Sequence, residues 1–119
     1  MADEENIELS PQQVAELTEA GAQLVDVRTP EEYEAGHIEG ARHVPLEALT
    51  AAAETLPADR PVVFYCRVGS RSAMAAAALQ ASGRDARNLA GGLVAWVEAK
   101  QRFEPADGEV AEHSALPPR

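Results

Sequence analysis

Apolar positions along this chain come in short blocks whose period alternates. Ser10, Pro11 and Gln13 supply a cap, a proline where no N–H is needed and a capping-box glutamine, with Val14 and Leu17 on one face. A helix is predicted there, ending at Gly21. "QLVDV" (Gln23 to Val27) is a brief run with β-branched residues, and Thr29-Pro30-Glu31-Glu32 behind it repeats the helix-start chemistry. After the glycine-bearing turn "AGHIEGA" and Pro45, Leu46, Leu49, Ala53 and Leu56 recur at helical spacing until Pro57.

"PVVFYC" (Pro61 to Cys66) is a second apolar run flanked by helices, the pattern of a parallel strand buried on both faces. "SRSAMAAAALQASG" predicts a helix closed by Gly83, with alanines small enough to lie close against a sheet. "ARNLAGG" reads as a strand ending in a tight turn, and Leu93, Trp96 and Val97 form one face of a last helix. The β-α-β-α alternation predicts an α/β domain with a mainly parallel sheet and right-handed crossovers.

Composition narrows this picture. A chain of 119 residues, 45% hydrophobic and 25% charged, suits one compact domain. Its acidic start, "MADEENIELS", has no apolar segment of targeting or spanning length, so the expectation is a cytoplasmic protein with no membrane partner. A net charge of −10 argues against nucleic acid as a partner. The imbalance is uneven: residues 1–54 hold 13 acids against two arginines, and residues 55–119 hold seven acids against eight bases. From about Glu104, "EPADGEVAEHSALPPR" is acidic, proline-bearing and aperiodic. The expected division is a domain over residues 1–103 and a tail over 104–119.

The candidate chemistry centres on the single cysteine, Cys66, which rules out an internal disulfide. With three scattered histidines it gives no zinc spacing, so neither a metal nor another cofactor is expected. Cys66 closes a strand pattern, which places it at the carboxyl edge where open α/β sheets bind ligands. Arg67, Val68, Gly69, Ser70 and Arg71 then lead into a helix, so unpaired N–H groups can converge on the sulfur. Gly69 permits the curvature, while the helix dipole, Arg67 and Arg71 add positive potential. Each effect favours a thiolate, the state a cysteine nucleophile requires.

A lone cysteine more often packs as a small hydrophobe, but few such residues have a glycine turn, two arginines and a helix start within five positions. Asp26 and Arg28 fall at the end of another strand, facing the same crevice. They read first as a structural ion pair bracing the site, with Arg28 as a further contact for an anion. Ser72 joins Asp26 as structural support. His37 reads as structural, His113 as a solvated tail residue, Trp96 as core, and Gly91 and Gly92 as a turn.

Three stretches in order, "LVDVRTPEEYEAGHIEGARHVP", "VVFYCRVGSRS" and "NLAGGLVAW", resemble the rhodanese family of sulfurtransferases, over about Ile7 to Phe103. The resemblance implies a three-layer fold with a five-stranded, mainly parallel sheet and helices on both faces. It also implies a ping-pong reaction with Cys66 as nucleophile. The thiolate takes the outer sulfur of thiosulfate or a persulfide, and a thiol or cyanide removes it.

On this reading the amides of residues 67–70 seat the sulfur, and Arg67 and Arg71 are the cations for an anionic donor, Arg71 being the stronger because it closes the loop. Related phosphatases place five residues between cysteine and arginine, whereas "CRVGSR" places four, a ring sized for one sulfur atom. Two alternatives stay open: a sulfur carrier serving a protein thiol, and a phosphatase or arsenate reductase. With no second thiol in the chain, the acceptor must come from outside.

Overall fold

A computed structural model describes residues 7–101, 103, 104 and 110. In it β1 (Glu8–Leu9), β2 (Gln23–Asp26), β4 (Arg42–His43), β5 (Val62–Tyr65) and β6 (Ala86–Leu89) form one sheet in the order β1-β6-β5-β2-β4. Every neighbouring pair in it is parallel. β5 is the middle strand and all of its residues are buried. Val62 and Phe64 enter one core with Val25, Leu49, Ala76 and Leu79, whereas Val63 and Tyr65 enter a second with Val14, Leu89, Leu93 and Trp96. The two-residue period of a strand thus feeds two apolar layers at once, which explains the unbroken apolar run.

Helix α4 (Ser70–Ala81) and the segment 46–55 cover the first core, and α1 (Pro11–Glu19) and α5 (Gly92–Glu98) cover the second. The predicted caps are in place. Ser10 starts α1 and Thr29 starts α2 (Pro30–Ala35), each with a reciprocal capping box and a proline in the first turn. Such a cap contributes about 1 kcal/mol. Trp96 is buried, as its helical spacing with Leu93 implied.

Several elements depart from the sequence pattern. Residues 46–56 do not form one helix but a 3-10 turn (Leu46–Ala48), a single α-turn α3 (Leu49–Ala52) and a second 3-10 turn (Ala53–Thr55). No side chain caps any of these pieces, and the start is pinned to β2 because Val44 and Leu46 donate their N–H groups to the carbonyls of Asp26 and Val27. Tight turns result where a free helix would have propagated.

"AGHIEGA" holds more than a turn: β3 (His37–Ile38) lies inside it and β4 follows directly. β1 was equally hidden, since two residues are too few to show a period. β5 ends at Tyr65, one residue before Cys66. β7 (Phe103–Glu104) pairs antiparallel with β3, so paired structure reaches one residue past the expected boundary at 103. Val110 packs against the second core, and the remainder of the tail, His113 included, lies outside the described residues. Among the described residues no helix is long and apolar enough to cross a membrane.

Candidate active site

The loop after β5 is held from the side of β6 and α5. Leu93 donates its N–H to the Cys66 carbonyl at 2.8 Å and Val94 donates to the Arg67 carbonyl at 3.1 Å. This approach is close enough to need glycine. A Cβ on Gly92 would lie 2.5 Å from the Arg67 carbonyl oxygen and 2.6 Å from that of Cys66, and its φ of +64° is one that other residues rarely adopt. Beyond forming the turn that the sequence predicts, Gly91 and Gly92 bring the last helix onto the cysteine loop.

Gly69, at φ +101°, is the N-cap of α4 and donates its N–H to Cys66 Sγ at 3.1 Å. Ser72, in the first turn of α4, donates its hydroxyl to the same sulfur at 3.4 Å. Cys66 itself has no exposed surface and belongs to the first core beside Phe64, Ala75 and Ala76. That is deeper than a crevice position implied. What separates it from an ordinary packed cysteine is that two donors aim at its sulfur.

The two arginines of the loop are not equivalent. Arg71 sets its fork on Glu32, Nη1 to Oε1 at 3.1 Å and Nη2 to Oε2 at 3.2 Å. Glu32 is buried and also closes the α2 capping box with Thr29. Burial pushes its carboxyl up, but hydrogen bonds from Arg71 and the Thr29 amide outweigh that and hold it below the ordinary carboxylate range. Arg71 is therefore not an unpaired cation at the rim. Arg67 is partly buried, and its Nε is enclosed with no partner among the described residues. Val68 is half-exposed and Ser70 exposed.

Asp26 and Arg28 form the expected ion pair, wholly inside the protein. Arg28 Nη2 reaches Asp26 Oδ2 at 2.7 Å and the Gly36 carbonyl at 2.8 Å, and its Nε reaches Oδ1 at 2.9 Å. Its guanidinium carbon lies 5.7 Å from the centre of the Tyr65 ring. Burial works against the charge, but the hydrogen bond to Asp26 and its negative charge overcome this and raise the Arg28 pKa above its usual value. With no exposed surface, Arg28 offers no open face to an anion, and the geometry sets it as a brace joining β2 to the end of α2.

Tyr65 accepts the Ile38 N–H at 3.0 Å. Burial, then the Asp26 charge, push its phenol well above the ordinary tyrosine range. His37 stacks on Tyr33 at 3.8 Å and its Nδ1 lies 2.8 Å from the Tyr33 carbonyl oxygen, a structural setting.

Two residues in contact with the loop were not singled out from sequence. In the sequence Glu32 shows only helix-start chemistry; its burial and its arginine partner, 39 positions away, leave no local trace. Asn88 is buried on β6 and donates Nδ2 to the Gly69 carbonyl at 3.1 Å. Its one signal was an asparagine in a strand, where that residue is depleted. Among the described residues no three histidine, cysteine or acidic side chains gather as a metal site. A cavity of about 560 Å³, lined by Ala15, Ala22, Gln23, Arg60 and Trp96 among others, lies at the amino ends of β2 and β5, opposite to Cys66.

A parallel sheet covered on both faces, with a donor-lined cysteine loop at its carboxyl edge, defines an α/β domain of the rhodanese kind. Residues 10–99 match the Rhodanese-like domain family, and the chain belongs to that family. It is 37% identical over 105 residues to the thiosulfate sulfurtransferase GlpE of Pseudomonas aeruginosa, covering 87% of this chain and 92% of that one. It is 45% identical over 76 residues to the uncharacterized protein YqhL of Bacillus subtilis, covering 63% of this chain and only 60% of that relative. Among solved structures, a rhodanese-related protein from Thermoplasma volcanium matches with a TM-score of 0.76 at 26% identity, over 81% of this chain and 95% of that one.

Proposed function

We propose that this chain is a sulfurtransferase that carries a sulfane sulfur on Cys66, taking it from thiosulfate or a related persulfide and passing it to an external thiol or cyanide. The observation that carries the reading is the Gly69 N–H on Cys66 Sγ, inside a loop with four residues between the cysteine and Arg71. Converging amides suit a sulfur that bears negative charge and need no reorganisation to meet it.

The cycle balances without an added oxidant. The Cys66 thiolate attacks the outer sulfur of thiosulfate, a Cys66 S–S bond forms, and sulfite leaves with the electron pair of the bond broken. An acceptor thiolate or cyanide then attacks the terminal sulfur and returns the Cys66 thiolate. Gly69, Ser70, Val68 and Arg67 supply the amides, and Ser72 steadies the sulfur. Arg71, being held by Glu32, shapes the loop, and Arg67 is the cation that meets the anionic donor. Asp26 and Arg28 brace β2 beneath the site.

Because Cys66 has no exposed surface, a donor must displace part of the loop to reach it. Val68, at 50% exposure, and Ser70, also exposed, are loop residues with little burial to lose.

The test is intact-mass spectrometry after incubation with thiosulfate, with sulfite release measured in parallel. Wild type is expected to gain one sulfur atom, and Cys66→Ser none. Hydrolysis of a chromogenic phosphate ester with no sulfur gain would overturn the reading in favour of phosphatase chemistry. A persulfide that passes to a protein thiol but not to cyanide would identify a carrier.

A further inference from the structure

We propose that Asn88, on β6 and outside the cysteine loop, is a positioning residue for sulfur transfer: it aims the loop's amides. The inference rests on the sulfurtransferase reading above.

In a trans peptide the carbonyl of one residue and the N–H of the next point in opposite directions. Three carbonyls of the loop are clamped by donors from outside it: Cys66 by Leu93 N–H at 2.8 Å, Arg67 by Val94 N–H at 3.1 Å, and Gly69 by Asn88 Nδ2 at 3.1 Å. Each clamp turns the following N–H, of Arg67, Val68 and Ser70, away from its clamping donor. Gly69 N–H is already on the sulfur. Two clamps are backbone groups of the first turn of α5, and the third is a side chain. It is the one that a substitution can remove.

The Gly69 carbonyl also accepts the Ala73 N–H at 3.1 Å, the first bond of α4. That bond fixes the carbonyl relative to the helix; Asn88 fixes it relative to the sheet from which Cys66 emerges. The amide orientation of Asn88 follows from chemistry. Nδ2 faces three oxygens, the Gly69 carbonyl and both carboxylate oxygens of Glu8 at 2.9 and 3.1 Å, and a flipped amide would set oxygen against all of them.

What calls for glycine at position 69 is its φ of +101°; a Cβ there would meet Nδ2 at an ordinary 3.6 Å and press only on the Gly91 nitrogen, at 3.3 Å. Asn88 is 1% exposed, and its Oδ1 is enclosed without a partner among the described residues. Burying an unpaired acceptor costs stability, which an apolar residue filling the same space would avoid. The donor on the other arm of the amide offsets that cost by holding Gly69.

The test compares wild type with Asn88→Ala and Asn88→Thr, the latter retaining a strong strand preference, and with Glu8→Gln, which keeps an acceptor for Nδ2. Readouts are single-turnover sulfite release with thiosulfate, steady-state kcat and KM, and the amide NMR resonances of the loop. Losing one well-placed donor to a developing anion typically costs a hundredfold or more, so loss of alignment is expected to lower kcat about tenfold, with KM within about twofold. The Ser70 resonance shifts while those of α1 stay in place, and Glu8→Gln behaves as wild type.

A folded Asn88 variant with kcat within about twofold of wild type would overturn the proposal, as would activity lost only in proportion to the unfolded fraction. If neither variant folds, Asn88 is a core residue and the proposal also falls. If wild type itself forms no persulfide, the sulfurtransferase reading fails and takes this inference with it. If wild type forms one and the variants match it, only the role of Asn88 fails.

Discussion

Glu32 and Arg71 meet fork to fork, with side-chain exposures of 2% and 21%, and so tie the first residues of α4 to the first turn of α2. The pair joins the end of the cysteine loop to a helix 39 positions earlier in the chain. Its carboxylate sits below its ordinary pKa in the folded state, so the ionised form contributes stability above the unfolded value, and that contribution is lost as pH falls through the folded one.

Glu32→Gln is therefore expected to lower stability by roughly 2 kcal/mol at neutral pH, the scale of a hydrogen bond to a charged group. The gap from wild type should shrink as the pH drops below the ordinary carboxylate range. Urea titrations across that window check it. A gap that stays constant with pH would show that the carboxylate charge is not what Arg71 needs.

Tyr65 gives the opposite slope. Its phenol is pushed well above the usual tyrosine value by burial first and by the Asp26 charge second, so the stability it carries is complete below the unfolded value, about 10, and is lost as pH rises beyond it. Tyr65→Phe leaves the buried Ile38 N–H without its acceptor, at a cost of about 1–3 kcal/mol near neutrality. The variant should then lose less on going to alkaline pH than wild type does. Equal alkaline slopes would remove Tyr65 from that role.

The architecture was legible because β5 states its two-sided burial in an unbroken apolar run and because Ser10 and Thr29 announce their helices. Cys66, Gly69 and Ser72 were legible because loop, sulfur and helix start are contiguous in the chain. Glu32 and Asn88 were not. Each acts on the loop across the fold, through a partner 39 or 19 residues away, and no periodicity records such a contact. The pairing of Arg71 with Glu32 was hidden for the same reason: which guanidinium finds a carboxylate is decided across the fold. Short strands such as β3 and β4 escaped because pairing, not sequence, makes them strands.

Gly92 and Gly21 both have positive φ, +64° and +113°, but only Gly92 faces other atoms where a side chain would go. Alanine at either site carries the backbone strain of about 1–3 kcal/mol. At Gly92 it must also push the last helix off the carbonyls of Cys66 and Arg67, so Gly92→Ala should lose sulfur transfer as well as stability, whereas Gly21→Ala should lose stability alone. Melting curves beside persulfide yields distinguish the two. Full persulfide yield in a folded Gly92→Ala protein would show that the Leu93 and Val94 clamps are dispensable.

Arg67 is the cation left over once Arg71 is committed to Glu32, and its Nε is enclosed with nothing to bind among the described residues. In the proposed reaction Arg67 meets the sulfonate end of thiosulfate once the loop has moved to admit the donor, whose outer sulfur then points at Cys66. Removing one charge-assisted contact of this kind costs on the order of 1.5–3 kcal/mol, so Arg67→Ala should raise the KM for thiosulfate about tenfold or more. Turnover at saturation should change far less, because the amides that face the sulfur remain. Arg67→Lys should recover part of the loss, restoring the charge but not the planar fork. A donor with a neutral leaving group provides the control: its KM should be indifferent to both substitutions. If Arg67→Ala leaves the thiosulfate KM unchanged while Arg71→Ala raises it without loosening the fold, the assignment reverses, and the Glu32 pair must open during the reaction.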